Sequence, residues 1–154
     1  MGYKTLITIE RYPNLLVLDN SLVMRWFFND GSDSDLEYAE AVLGYMKIND
    51  VKPVVPTLWV SEACFVSNGY VKNKKHSTAI VEEKLVNAFD MFLVVDPKLE
   101  PKTLFAYANR HNIPDYDANY ALLAANLNCP IATLDKRLGK AVVKANGSLL
   151  EKFK

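Results

Sequence analysis

The sequence predicts a single α/β domain, a three-layer α/β/α sandwich with a central, mostly parallel sheet. Its 154 residues suit one domain, and 50% of them are hydrophobic, which is enough for a sizeable core. Short apolar runs alternate with helical patterns along the chain. Runs that are apolar on both faces are typical of a parallel sheet covered by helices on each side. The alternating order of strand and helix predicts the crossover connections of such a sheet.

Four apolar runs are the predicted strands, because none shows the polar alternation of a half-exposed strand. They span residues 15–18, 53–55, 91–95 and 131–134. Helical patterns with recognisable ends lie between them. We predict caps at Thr57, Ser77 and Asp115, and a first-turn proline at Pro101. The predicted helices span residues 36–48, 58–68, 78–89, 101–111, 116–127 and 136–145.

The composition excludes several classes of protein. Eighteen basic and eighteen acidic side chains give a formal net charge of +0, which excludes a uniformly basic nucleic-acid binder. No apolar run approaches the roughly 20 residues of a membrane helix, and no signal segment is recognisable, so we expect a cytoplasmic protein. Cys64 and Cys129 lie in apolar surroundings without C-x-x-C spacing, which predicts reduced, buried thiols. We predict an N-terminal extension over residues 1–14 and the domain over 15–154.

Two aspartates follow predicted strands. Asp19 ends the first apolar run and Asp135 ends the last one. The carboxyl ends of parallel strands meet at one edge of a sheet, where ligands bind. We therefore expect both side chains at that edge, although each residue alone could simply cap the helix that follows it.

Two further carboxylates lie in strongly apolar helices. Glu62 is the sole charged residue between Thr57 and Tyr70, and Asp117 is the sole charge between Tyr116 and Leu127. A carboxylate in such a setting costs several kcal/mol unless it meets a cation or donors. A buried salt bridge would also satisfy this requirement, but the nearby basic residues have the pattern of surface lysines.

The four carboxylates together predict a site for a hard divalent cation. Oxygen-rich sites select Mg²⁺ or Mn²⁺, and neither thiol nor imidazole occurs in these segments. Ser21 and Thr133 lie two residues from Asp19 and Asp135, where their hydroxyls could support the site. Metal ligation is therefore predicted for Asp19, Glu62, Asp117 and Asp135.

Four segments of the chain resemble the PIN-domain nucleases, in particular the VapC-type toxins. Residues 17–21 (VLDNS) resemble the first strand of that family, which ends in Asp followed by a residue and then Ser or Thr. Residues 56–62 (PTLWVSE) are similar to the stretch with the second acid. Residues 116–120 (YDANY) match the Y-D-A-x-Y segment, and residues 132–138 (ATLDKRL) match A-T-L-D-x-x-L. The resemblance runs in order over roughly residues 15–147.

The resemblance implies a Mg²⁺- or Mn²⁺-dependent ribonuclease with one or two ions, the toxin of a VapBC toxin–antitoxin pair. It implies a homodimer silenced by a VapB-like antitoxin. Asp19, Glu62 and Asp117 carry over as metal ligands, Asp135 as the fourth acid, and Ser21 and Thr133 as supporting hydroxyls. Two departures are the longer N-terminal extension and Phe65, where such toxins often have Asn. Asp115 is interpreted as an N-cap beside Asp117.

A basic row adjoins this predicted site. Lys136, Lys140 and Lys144 are spaced four residues apart, so they share one face of a helix, and Arg137 stands next to them. Such a row can follow a phosphate backbone without reading its sequence. The prediction is an RNA-binding face, with a merely solvated helix face as the alternative.

Other functions remain as alternatives. An Asp-nucleophile phosphatase of the haloacid-dehalogenase type would need a second Asp where Ser21 stands. A phospho-accepting receiver domain would not explain Glu62 within an apolar helix. A non-catalytic PIN-like module that binds RNA or protein is the main alternative to a nuclease, and partner contacts through Trp26, Phe27, Phe28 and Tyr38 are a further hypothesis.

Overall fold

A computed structural model describes residues 14–73 and 75–151. Most of the predicted N-terminal extension, together with Lys152 and Lys154 at the end of the chain, lies outside these residues. Each of the first three strands is followed by two helices, and the fourth strand is followed by one. The elements are β1 (Leu15–Leu18), α1 (Asn20–Phe28), α2 (Asp33–Ile48), β2 (Lys52–Pro56), α3 (Leu58–Lys72), α4 (Thr78–Met91), β3 (Leu93–Val95), α5 (Pro101–His111), α6 (Asp115–Leu127), β4 (Ile131–Ala132) and α7 (Lys136–Lys144).

The described strands form one parallel sheet in the order β3-β2-β1-β4. Helix α6 packs against β1, β2 and β4, whereas α3 and α4 pack against β2 and β3. These layers confirm the predicted α/β/α sandwich. The two central strands are buried: their residues Leu16, Val17, Val54 and Val55 are fully inaccessible to solvent (0% exposed). Their carboxyl ends point to one edge, where Asp19 follows β1.

Residues 148–151, which we call the C-terminal segment, extend this sheet beyond β4. Leu149 forms a parallel bridge with Ile131. Backbone hydrogen bonds run from Ile131 N to Ser148 O (3.0 Å) and from Leu150 N to Ile131 O (2.8 Å). Since the pairing is parallel, the segment runs beside β4 toward the edge that carries Asp19.

The helix predictions are correct in position but several ends differ. Helix α1 was not among the predicted helices, and α3 continues four residues beyond its predicted end to Lys72. Ser77 caps α4 as predicted, since its hydroxyl accepts a hydrogen bond from Ile80 N (3.3 Å). Thr57 is not a side-chain cap: its backbone is already helical (φ −55°, ψ −30°). Asp115 is likewise not a cap, because it is the first residue of α6 and Pro114 occupies the cap position.

Burial corrects two further predictions. Phe27, Phe28 and Tyr38 are buried in the core and are not a free surface for a partner, whereas Trp26 is half-buried and packs against the core. Cys64 is exposed, not buried, because it lies on the outer side of α3, and Cys129 is half-buried; both are free thiols. In the part of the chain that is described, no helix is both long enough and apolar enough to cross a membrane.

Candidate functional site

Asp19 lies at the centre of the candidate site. It directly follows β1 and is only 5% exposed. Its Oδ2 accepts two hydrogen bonds, one from the Ser21 hydroxyl (2.7 Å) and one from the Thr133 hydroxyl (2.7 Å). Ser21 belongs to the first turn of α1 and Thr133 follows β4, so the carboxylate joins two neighbouring strand ends. The two hydroxyls therefore hold the carboxylate in one orientation.

The backbone fixes the direction of both hydroxyl protons. The Ser21 oxygen accepts a hydrogen bond from Leu134 N (3.2 Å), and the Thr133 oxygen accepts one from Asp135 N (2.9 Å). Each hydroxyl therefore receives a proton from the backbone and donates its own to Asp19. This arrangement commits Oδ2 to the protein and leaves the second carboxylate oxygen outside these bonds.

The helix-cap alternative holds for Asp135 and fails for Asp19. Asp135 does cap α7, since its Oδ1 accepts hydrogen bonds from Arg137 N (2.8 Å) and Leu138 N (3.2 Å). Asp19 occupies the cap position of α1, but within the described structure its side chain makes no capping hydrogen bond. Helix capping therefore accounts for one carboxylate oxygen of Asp135. It does not account for the buried carboxylate of Asp19.

Glu62 and Asp117 lie near enough to Asp19 for its charge to raise their pKa values. Burial raises the pKa of Glu62 to about 7, and the nearby charge of Asp19 adds to this effect. Burial also raises the pKa of Asp117 to about 7, helped by the charges of Asp19, Asp135 and Glu62 and opposed by Arg137. The pKa of Asp19 is raised by burial as well, despite its two hydroxyl donors. The predicted carboxylates thus act on one another through their charges, and their joint role as metal ligands stays a prediction.

The salt-bridge alternative is not supported for the two helix carboxylates. The ion pairs found among the described residues join Arg25 to Asp30 and Lys98 to Asp96, away from this cluster. Within the same residues, the buried Oε1 of Glu62 has no hydrogen-bond partner of normal geometry, although the Tyr120 hydroxyl lies close enough to lower the pKa of Glu62. A buried carboxylate oxygen without a donor fits a ligand for a cation.

The arrangement fits an ion that keeps part of its water shell. Within residues 14–73 and 75–151, no three acidic, His or Cys side chains form a ready-made cage. Mg²⁺ is commonly held by one or two carboxylates with water completing its octahedron, so it needs no such cage. The oxygen donors, the orphaned Glu62 atom and the shared negative field together fit a hard divalent cation.

Two residues near the site were not assigned by sequence reasoning. Tyr120 is fully buried, and its pKa is raised by burial and by the charges of Glu62, Asp19 and Asp117. Its hydroxyl lies near Glu62, although the pair lacks the geometry of a normal hydrogen bond. Asn20 is 5% exposed beside Asp19. Tyr120 could have been found from the sequence by its position three residues after Asp117, which places both residues on one face of α6.

The predicted basic face lies on α7 beside Asp135. Lys136, Lys140 and Lys144 are exposed. The Arg137 guanidinium instead donates a hydrogen bond to the Asn112 carbonyl at the end of α5 (2.6 Å). Arg137 therefore connects α7 to the loop that precedes α6. If Arg137 also contacts RNA as predicted, it must do so with the guanidinium N–H groups that this hydrogen bond leaves over.

Comparisons with known proteins bear on the fold. No protein-family model matches the sequence, and no curated protein matches it. Among solved structures, PAE2754 from Pyrobaculum aerophilum superimposes with a TM-score of 0.67 at 16% identity, covering 88% of this chain and 83% of that one. VapBC2 from Rickettsia felis, bound to a DNA fragment from its promoter, gives 0.61 at 16% identity, with 91% and 99% covered. FitAcB from Neisseria gonorrhoeae gives 0.57 at 20% identity, with 88% and 96% covered.

These similarities extend over nearly the whole described chain. At 16–20% identity they concern the backbone arrangement, which agrees with the parallel sheet and its paired helices. The likeness of the complete fold thus agrees with the fold that the four sequence segments imply. The chain has the fold of the VapC-type PIN domains.

Proposed function

We propose that this protein is a metal-dependent endoribonuclease that hydrolyses RNA phosphodiester bonds. The observation that carries the proposal is the carboxylate cluster around Asp19: Asp19 and Asp117 are buried, and the buried Oε1 of Glu62 lacks a hydrogen bond of normal geometry. A cluster of like charges is costly in a folded protein unless a cation is bound there. The basic face of α7 adjoins the cluster and supports an anionic polymer as the substrate.

In this mechanism the side chains mainly hold the metal and the substrate. Asp19, Glu62, Asp117 and Asp135 would bind one or two Mg²⁺ or Mn²⁺ ions. When bound, such an ion would supply Lewis-acid chemistry, which activates water for attack on phosphorus and offsets charge on the leaving oxygen. Ser21 and Thr133 keep Asp19 in the orientation that presents its second oxygen.

We further propose that the chain is the toxin of a toxin–antitoxin pair and acts as a homodimer in the cytoplasm. The fold likeness to VapBC2 and FitAcB supports this proposal. A VapB-like antitoxin would be the protein partner. Copurification of this chain with the product of a neighbouring gene, together with the mass of the free protein in solution, tests both parts.

Cleavage of a mixed RNA panel by the purified protein is the test of the nuclease function. We expect fragments with Mg²⁺ or Mn²⁺ and none with EDTA, because the carboxylates alone supply no activated water. Cleavage that persists in EDTA would contradict the metal role. No cleavage under any condition would favour the non-catalytic binding module instead.

Replacing Thr133 by valine is expected to weaken metal use without loss of the fold. Valine keeps the shape of threonine but removes the hydroxyl that donates to Asp19. Loss of such a supporting group typically costs about 10- to 100-fold in metal affinity. The Mg²⁺ concentration for half-maximal cleavage should rise about tenfold or more, whereas Thr103→Val, on the exposed side of α5, should leave it unchanged. An unchanged Mg²⁺ requirement for Thr133→Val would contradict the supporting role.

Charge reversal on α7 is expected to weaken RNA binding and its salt dependence. Lys140→Glu with Lys144→Glu removes two phosphate contacts, and each lost contact lowers the slope of log affinity against log salt by about one. Binding of a labelled RNA across salt concentrations measures this slope. The matched control is Lys47→Glu with Lys102→Glu, which changes the same charge on exposed positions of α2 and α5. Equal effects of the two pairs would favour the solvated-face alternative.

A further inference from the structure

A large groove borders the candidate site on its α7 side. We call it the α7 groove; it has a volume of about 550 Å³ and lies between α7 and the C-terminal segment. Thr133 and Asp135 form part of its lining, so the groove is continuous with the carboxylate cluster. Its size is within the usual range for small-molecule sites.

Apolar side chains form part of the lining of the α7 groove, and we call this part its floor. Leu134, Val143, Leu149 and Leu150 line it. Val143 is 54% exposed, although its neighbours on the outer face of α7 are lysines. Gly139 shapes the groove, because a Cβ at this position would lie 3.2 Å from Cδ2 of Leu149. A glycine here lets the C-terminal segment approach α7 closely.

Charges divide the two walls of the groove. Lys136, Lys140 and Lys144 stand on the α7 side, together with Asp135 at the start of that helix. Asp35 of α2 and Glu151 of the C-terminal segment stand on the other side. A phosphate backbone is attracted to the first wall and repelled by the second, so it would follow α7. The apolar floor between the walls offers a flat nucleobase a place out of water.

We infer that the α7 groove binds a nucleobase of the RNA strand next to the bond that is cleaved. This inference rests on the proposed nuclease function and assigns the groove as its substrate subsite. The base lies on the floor formed by Val143 and the three leucines, while the lysines hold the flanking phosphates. A base can enter only when it is unpaired, so the preferred substrate is single-stranded RNA. The continuity of the groove with Asp135 favours RNA over a peptide as the occupant.

The test measures RNA binding in EDTA, so that it does not depend on turnover. The probes are a labelled mixed-sequence single strand of 12 nucleotides and a set with one abasic ribose at each position in turn. For the wild type we expect one abasic position to weaken binding by about tenfold, which corresponds to one lost base contact. Val143→Gln should bind the intact strand about tenfold more weakly and no longer respond to that abasic position. Its salt slope should match the wild type, because no phosphate contact is lost.

The control variant is Val86→Gln, an equally exposed valine (54%) on α4 that does not line the groove. It should bind every probe as the wild type does, and melting temperatures verify that both variants fold. Wild-type-like binding by Val143→Gln would overturn the inference. The same holds if RNA binds with no abasic effect, or if Val143→Gln loses only a coexpressed antitoxin. Those results leave the nuclease function standing, whereas a wild type that neither binds nor cleaves RNA contradicts both proposals.

Discussion

Asp19→Asn is expected to lower RNA cleavage by about a hundred- to a thousandfold and to leave the fold intact. The amide oxygen of asparagine can accept the hydrogen bonds from Ser21 and Thr133 that Oδ2 accepts in the native protein. The position facing the cluster then carries a neutral amide group that is a poor ligand for Mg²⁺. Loss of several kcal/mol of metal-derived stabilisation corresponds to this fall in rate, since each 1.36 kcal/mol is a factor of ten.

The measurement is single-turnover cleavage at saturating Mg²⁺, with the melting temperature followed in parallel. Asp90→Asn is the matched control, because it makes the same chemical change at an exposed position of α4. It should retain wild-type cleavage. Wild-type cleavage by Asp19→Asn would show that Asp19 is not a metal ligand in the reaction, and an unfolded Asp19→Asn protein would contradict the hydrogen-bond argument.

Most of the fold was predictable because its signals are local. The apolar run at residues 15–18 is β1 without change, and Pro101 starts α5 as predicted. The ends of helices and strands that depend on tertiary contacts were harder to predict from the sequence. Met91 and Phe92 read as part of an apolar strand, yet Met91 completes α4 and only Leu93–Val95 pair with β2. Helix α1, which spans nine residues and begins two residues after the end of β1, was not predicted.

The site was predictable where a residue's chemistry conflicts with its surroundings. Glu62 and Asp117 could be predicted because a carboxylate in an apolar helix requires a cation or hydrogen-bond donors, and both residues lie at the cluster. The hydroxyl network of Ser21 and Thr133 could be suspected from spacing, but its direction depends on the pairing of β1 with β4. The α7 groove could not be predicted, because Leu149 reaches α7 through the C-terminal bridge to β4.

The melting temperature of the metal-free protein is expected to fall as the pH rises from 5 to 8. Burial and mutual repulsion raise the pKa of Glu62 and of Asp117 to about 7, and raise that of Asp19, whereas the unfolded carboxyls titrate near their ordinary values of about 4. The folded state therefore binds more protons than the unfolded state between about pH 4 and pH 7. Stability present at low pH is lost as these groups ionise, and we expect a fall of roughly 5–10 °C in EDTA.

Asp117→Asn identifies the source of this pH dependence. In EDTA the variant should melt roughly 3 °C above the wild type at pH 8 and close to it at pH 5, because it removes a buried charge that is ionised only at the higher pH. Asp90→Asn, at its exposed position on α4, should follow the wild type at both values. A wild-type melting temperature that is constant or rises across this range would contradict the shared carboxylate pocket.

Magnesium should reverse the trend, since the ion binds the ionised carboxylates that destabilise the metal-free protein. Protons compete with the metal for the same oxygens, so added Mg²⁺ should raise the melting temperature more at pH 8 than at pH 5. Asp19→Asn should lose most of the Mg²⁺ effect at pH 8 while keeping its fold. Equal stabilisation by Mg²⁺ at both pH values would indicate binding elsewhere on the protein, because a site built from Asp19, Glu62 and Asp117 must release protons when it takes up the ion.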